Sequence, residues 1–507
     1  MTNNQKAAVI GAGVGGLATA IRLRALGYEV DLFEQEQRVG GKLMEMHRDR
    51  FRFDMGPSLF TQPERVEELF TLMGEDPRQH FSYKRLDTIC RYFFSDGSSL
   101  EVPSDPEEFI SKVRTYSGTD ADRLKDYLRI AKKLYETASP LFIEQPFPTR
   151  KGLMSAEGQA IGRQPWLLDP FTSLHRRNKN SFRDKRLVQL FDRYATYNGS
   201  NPYKAPATLK MIAHLEHNLG AYFPEGGMYG IATSLGQLAA RHGVKIHLGT
   251  RVDEIVTDVT NRRVTGLTIN GDFAGYDLVV SDVDVHTLYR KLLKGISPPA
   301  GNRRLRLSTS AIIFYWGIRG EHPGLDLHNI LFSEDYAAEF KSLFKNRTLQ
   351  PDPTIYLFIS KRLVPDDAPE GDENWFVMIN APENRGQDWN LLVSDARKKV
   401  IEKIQRMLGI EIENRIITEH VEDPRTIEAR TGSYRGALYG NNSNSRFSAF
   451  SRHPNHRKIL GNMYYVGGSV HPGGGIPLCL ASAKIVSNLL TTSPPGPLSQ
   501  GRGGTKK

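Results

Sequence analysis

The chain has 507 residues, too many for one modest core, and 67 Lys and Arg against 57 Asp and Glu give it a formal charge of +10, so two domains are expected. That excess is dispersed without a long basic block, which disfavours nucleic acid and favours an anionic lipid surface. The two cysteines, Cys90 and Cys479, stand far apart; they exclude a disulfide framework or a cysteine zinc cluster and suit a reducing, cytosolic setting.

The first apolar run, Ala7-Ala8-Val9-Ile10, reads as a short buried strand so close to Met1 that no signal peptide is expected. Gly11-Ala12-Gly13-Val14-Gly15-Gly16 reads as a turn, Leu17 to Leu26 as a helix, and Glu29 to Phe33 as a second strand ending at Glu34. This order is the dinucleotide-binding fingerprint. Gly11 permits the tight turn, Gly13 lets backbone approach a pyrophosphate, and Gly16 lets helix and strand pack closely, with the phosphates on the helix N-terminus. Glu34 falls about 20 residues past the loop, where a carboxylate accepts from a ribose diol and repels a 2′-phosphate, favouring FAD or NAD over NADP.

Next come Arg38-Val39-Gly40-Gly41-Lys42 and Phe53-Asp54-Met55-Gly56-Pro57-Ser58. They resemble the glycine-doublet extension of the amine oxidase and carotenoid desaturase superfamily of flavoproteins, in which the basic residue and paired glycines line the diphosphate and ribityl chain of FAD. Residues 71–221 then carry helical pattern. A second nucleotide-domain segment, 222–290, opens at Tyr222-Phe223-Pro224-Glu225-Gly226-Gly227-Met228 and closes on Leu278-Val279-Val280-Ser281-Asp282. Within 291–455, aromatic and β-branched runs at 311–316, 354–359 and 375–379 predict a half-buried antiparallel sheet. A helix from Asp388 to Leu408 shows Leu392, Ala396, Val400, Ile404 and Met407 as a core-facing stripe. Residues 456–490 return to the nucleotide domain, joining 1–70 and 222–290, while 71–221 and 291–455 form a substrate domain. Residues 491–507 read as a disordered tail.

The run from Tyr464 to Lys484 contains Gly467-Gly468-Ser469-Val470-His471-Pro472-Gly473-Gly474-Gly475-Ile476-Pro477-Leu478. With the 53–58 and 223–228 segments and Phe191 to Ser200, it resembles the bacterial and fungal phytoene desaturase family across nearly the whole chain. The resemblance implies an α/β fold: a Rossmann-type FAD-binding domain of the GR2-like kind with an inserted α+β substrate domain. It implies FAD as cofactor, a carotenoid polyene as substrate, and an electron acceptor such as oxygen or a quinone. Carried over position by position, Gly11, Gly13, Gly16, Glu34, Gly41 and Lys42 would contact the adenosine and diphosphate, and Val252 would meet the adenine through its backbone. Asp282 and Gly468 would stand near the cofactor, and His471 to Pro477, including Gly475, Ile476 and Pro477, would line the isoalloxazine. Phytoene-desaturating members continue His-Pro-Gly with Ala-Gly-Ile-Pro-Gly-Val. The Gly474-Gly475-Ile476-Pro477-Leu478 form looks more like the 1-hydroxycarotenoid 3,4-desaturase branch.

The implied reaction removes a hydride from an allylic carbon and a proton from its neighbour. His471 is a candidate proton acceptor because imidazole titrates near neutrality, with a loop-holding role as its alternative. Asp192 and Arg193 read as a local ion pair, and His214 with His217 as solvated helix residues; no metal is expected. No apolar stretch approaches the roughly 20 residues of a membrane span. The segments 139–143 and 166–171, followed by His175-Arg176-Arg177-Asn178-Lys179, suit either insertion at the headgroup level on the inner face of the cell membrane or ordinary core contacts. Phytoene desaturation, an amine oxidase and a non-catalytic FAD escort are the competing readings.

Overall fold

The computed structural model describes residues 5–146, 152, 154–299, 302, 306–445 and 452–492. β1 (Lys6–Ile10) lies at the centre of a five-stranded parallel sheet, between Leu278–Ser281 and β2 (Glu29–Phe33), with Met463–Tyr465 and Lys245–His247 at the edges. Its uninterrupted apolar run follows from burial on both faces. Between β1 and β2 runs α1 (Val14–Ala25), whose N-cap residue Gly13 offers no side chain; Gly16 N–H is taken by Asp282, which leaves those of Val14 and Gly15 for the cleft. Gly27, at φ +88°, turns the chain toward β2. The strands Val252–Asp258, Arg263–Ile269 and Asp272–Gly275 form a separate antiparallel meander.

A second sheet has seven strands in the order 416–422, 310–319, 372–381, 355–358, 328–331, 88–93 and 99–103. All pairings are antiparallel except 328–331 with 88–93. The strand Ser310–Arg319 is apolar from Ala311 to Ile318 because each face has a covering. Ala311, Ile313 and Tyr315 join the large core shared with the nucleotide-binding sheet, while Ile312, Phe314 and Trp316 pack with Ala396, Val400 and Ile404 of the helix Trp389–Leu408.

Residues 71–221 are less helical than their pattern predicts. Tyr83–Arg85, Thr88–Phe93 and Ser99–Pro103 are strands, the last two closing one edge of the seven-stranded sheet. His214 and His217 are not solvated: both are buried in the turn His214–Leu219, and His217 stacks on Phe109 at 5.0 Å. Asp192 and Arg193 do not pair with each other. The predicted tail from Ser493 onward lies outside the described residues.

Candidate active site

A cavity of about 1170 Å³ runs from the glycine loop to the apolar face of the seven-stranded sheet. Among the residues predicted to bind a cofactor, Gly11, Gly13, Glu34, Gly41, Lys42, Val252, Asp282, Gly468, Gly475, Ile476 and Pro477 all line it. Gly16 stands behind the wall. A Cβ there would fall 1.9 Å from the Gly11 carbonyl oxygen, so only glycine lets α1 leave β1 so tightly. The doublet is pressed onto the loop: Gly40 N–H donates to the Ala12 carbonyl at 2.8 Å, and a Cβ on Gly41 would meet the Gly13 Cα at 3.2 Å.

Glu34 ends β2 with its carboxylate buried. Its oxygens accept from Ala12 N–H at 2.8 Å and Glu36 N–H at 3.0 Å, although burial still raises its pKa. Asp282, from the adjoining strand, accepts from Gly16 N–H at 3.0 Å in the first turn of α1. Burial, aided by the nearby Glu34 charge, pushes its pKa up to about 7. Lys42 is drawn inward, with Nζ donating to the Leu438 carbonyl; burial lowers its pKa against the opposing pull of Asp284. Burial also pushes the Cys479 thiol up to about 12, so this cavity-lining group is held protonated.

A glycine-walled cleft with no room for side chains, a helix N-terminus opening into it and a carboxylate at the end of β2 together fit the dinucleotide portion of FAD. From the cleft the cavity continues past Pro472 and Gly474 to Cys479 toward Ile313, Ile330, Phe376 and Met378, a wall suited to a long hydrocarbon.

His471 stands elsewhere than the proton-accepting reading requires. It is absent from the cavity wall, its Nε2–H donates to the Gln145 carbonyl at 3.0 Å, and burial lowers its pKa to about 4. Its place is that of a neutral residue tying the loop to residue 145.

Sequence reasoning missed the polar groups at the far end. Arg193 Nη2 donates to Glu216 at 2.9 Å and Tyr92 at 2.7 Å, and Nη1 donates to Tyr197 at 2.8 Å; Tyr194 also donates to Glu216 at 3.0 Å. Burial opposes ionisation of Glu216, yet Arg193 holds its pKa below the ordinary value. Asp192 instead accepts from His175 at 2.6 Å and Asn178 at 2.8 Å. Ser58, Tyr356 and His328 form a second polar chain on the wall, linked at 2.5 and 2.8 Å. Among the described residues no cluster of His, Cys, Asp and Glu could hold a metal.

The nucleotide cleft opening into a hydrocarbon-walled chamber defines a flavin-dependent oxidoreductase, and residues 14–491 match the model of the flavin containing amine oxidoreductase family. The chain belongs to that family, among its carotenoid desaturases. It is 46% identical over 487 residues to the 1-hydroxycarotenoid 3,4-desaturase of Flavobacterium sp. (strain P99-3), covering 96% of this chain and 99% of that one. It is 31% identical over 486 residues to the 4,4'-diaponeurosporene oxygenase of Staphylococcus aureus (strain MSSA476), covering 95% and 97%. Among solved structures, an oxidoreductase from Methanosarcina mazei shares the fold with a TM-score of 0.63 at 17% identity, covering 96% of this chain and 99% of that one. A putrescine oxidase triple mutant does so with a TM-score of 0.63 at 15% identity, with the same coverage.

Proposed function

We propose that this enzyme introduces the 3,4 double bond of a 1-hydroxycarotenoid, a step of carotenoid biosynthesis. The observation that carries the reading is the end-to-end 46% identity to an enzyme of that name. It is supported by the Gly474 to Leu478 loop lying on the cavity wall. When bound, FAD supplies the two-electron acceptor that an unactivated C–H bond demands. The chain's own contribution is positional. The loop and the apolar sheet face would hold the polyene beside the place of the flavin ring and keep water from the cation that hydride loss leaves. Delocalisation along the polyene lowers the demand for a strong base, and His471 serves by fixing the loop. Residues 1–70, 222–290 and 456–490 hold the cofactor, and 71–221 with 291–455 hold the substrate.

Expression in cells that accumulate phytoene, lycopene or 1-hydroxylated carotenoids tests the substrate. New pigment is expected only from the hydroxylated polyenes; conversion of phytoene alone would overturn the assignment. An oxygenated product would move the chain toward the diaponeurosporene oxygenases.

The same reading places the protein on the inner face of the cell membrane, where its substrate and a quinone acceptor dissolve; oxygen is the other acceptor. No helix among the described residues is long and apolar enough to cross a membrane. Trp166 and Phe171 are 67% and 82% exposed, whereas Leu168 and Pro170 of the same stretch line the cavity together with Phe142 and Ile143. Such an apolar rim, with Arg176 and Lys179 exposed nearby, suits docking onto anionic headgroups. Replacing Trp166 and Phe171 with Ser is expected to lower binding to anionic vesicles about tenfold or more, since each buried aromatic is worth roughly 1.5–3 kcal/mol. Unchanged flotation of the folded variant would remove this membrane surface.

A further inference from the structure

Two arginines that line the cavity are buried, and they differ in one respect. Arg193 has Glu216 at 2.9 Å. Arg452, only 8% exposed, makes no ion pair among the described residues. Its Nη2 reaches the Ser443 hydroxyl at 3.4 Å, and its Nη1 has no hydrogen-bond partner among the described residues. The other cations on the wall are differently placed: Arg430 pairs with Glu422, Arg425 with Asp423, Lys42 donates to a carbonyl, and Arg251 and Lys291 are exposed. An unpaired buried guanidinium is costly, and a protein retains one where an anionic group comes to meet it.

The position of Arg452 narrows what that group is. A Cβ built on Gly473 would lie 2.9 Å from the Arg452 Cζ, so the guanidinium sits directly against the loop. From that loop the C-terminal helix Ile476–Thr492 departs, with no acidic residue in its first turn. Gly474, Gly475, Ile476 and Arg452 all line the cavity. An arginine and a helix N-terminus therefore bring positive potential to one stretch of wall. His471 is the titratable group that faces Arg452, and it is held neutral. Burial lowers the arginine to about 10, which leaves it charged at neutral pH.

We propose that Arg452 is the charge partner of the flavin's pyrimidine edge, the part of the cofactor that becomes anionic on reduction, and that it thereby sets the cofactor's potential. This rests on the FAD-dependent reading above. The C–H bond of the polyene gives up two electrons and one proton to the flavin, a second proton leaves the adjacent carbon for solvent, and the reduced ring keeps one net negative charge. Oxygen or a quinone later takes the two electrons with the ring's proton and one more from solvent, leaving as hydrogen peroxide or a quinol. A cation at the pyrimidine edge favours the reduced form and has little to hold in the oxidised one.

The test compares FAD-loaded wild type with Arg452→Met and Arg452→Lys, and uses Arg452→Gln should the methionine variant not fold. Three quantities are read: the two-electron midpoint potential, the dissociation constant of the sulfite adduct, which leaves negative charge on the same ring edge, and the affinity for oxidised FAD. The neutral variants should bind sulfite about tenfold more weakly or worse and lose about 30 mV for each tenfold change in the two-electron equilibrium. Their affinity for oxidised FAD should stay within about threefold, less than 1 kcal/mol, and lysine should restore most of the potential. Unchanged potential and sulfite affinity in a loaded neutral variant would overturn the proposal. Weakened FAD binding at constant potential would instead assign Arg452 to the diphosphate and equally overturn it. Failure of the wild type to bind FAD would sink the underlying cofactor reading, a distinguishable result.

Discussion

Gly16 shows how little freedom a single position has in this site. Its missing side chain is what allows α1 to start within contact of the Gly11 carbonyl, so Gly16→Ala must displace either the loop or the helix. The expected loss is about 2–3 kcal/mol, the upper part of the usual range for a point substitution, with FAD lost from the purified protein; urea unfolding and flavin absorbance check both. Asp282 makes the site sensitive to pH. An acid whose pKa rises from 3.8 to about 7 on folding is protonated more readily in the native chain. Its stabilising contribution is therefore complete below the ordinary value and is lost as pH rises through the folded one. Apoprotein stability should accordingly fall between about pH 4 and pH 7 relative to Asp282→Asn, whose amide oxygen can still accept from Gly16. Parallel denaturation curves for the two proteins across that window would remove Asp282 as the cause.

At the scale of elements, the turns Arg193–Asn198 and His214–Leu219 are joined through charge rather than apolar packing alone. Removing one member of a buried pair strands the other, at a cost of about 3–5 kcal/mol, whereas removing both costs less. Arg193→Met and Glu216→Leu should thus each destabilise more than the double variant does, which urea denaturation of the four proteins measures. Sequence pattern revealed the ends of these elements unevenly. Ala7 to Glu34 was legible because each of its residues answers to a local rule about strands, turns and helix starts. The helix beginning after Asp388 was legible from its stripe, and Asp388 caps it by accepting from Leu391 N–H at 3.1 Å. The strands Thr88–Phe93 and Ser99–Pro103 escaped because charged and polar residues interrupt them, although Asp96-Gly97 between two alternating runs is a hairpin signal. The partners of Arg193, and the isolation of Arg452, had no signal at all, since both depend on what distant segments leave nearby.

For the whole molecule, nucleotide-cleft residues were readable because a phosphate-binding loop is local, whereas the substrate chamber is built from strands whose neighbours are hundreds of positions away. Thr88–Phe93 lies beside His328–Leu331. Family resemblance, rather than residue physics, supplied the polyene. It put His471 beside the isoalloxazine, where near-neutral titration made it a candidate proton acceptor; the bond from its Nε2 to Gln145 favours the alternative, a loop-holding role.

The pairing of Leu278–Ser281 with Met463–Tyr465, together with the packing of the helix Ile476–Thr492 on α1, also dictates an order of events during synthesis. The fingerprint at Gly11 leaves the ribosome more than 400 residues before the loop at 472–477 and the outer strand of its sheet. Nascent chains arrested before Met463 should therefore retain no FAD on gel filtration, while chains released after Thr492 should retain it. Cofactor capture thus waits for residues 463–492, so a copy truncated before them cannot become a partly working flavoprotein.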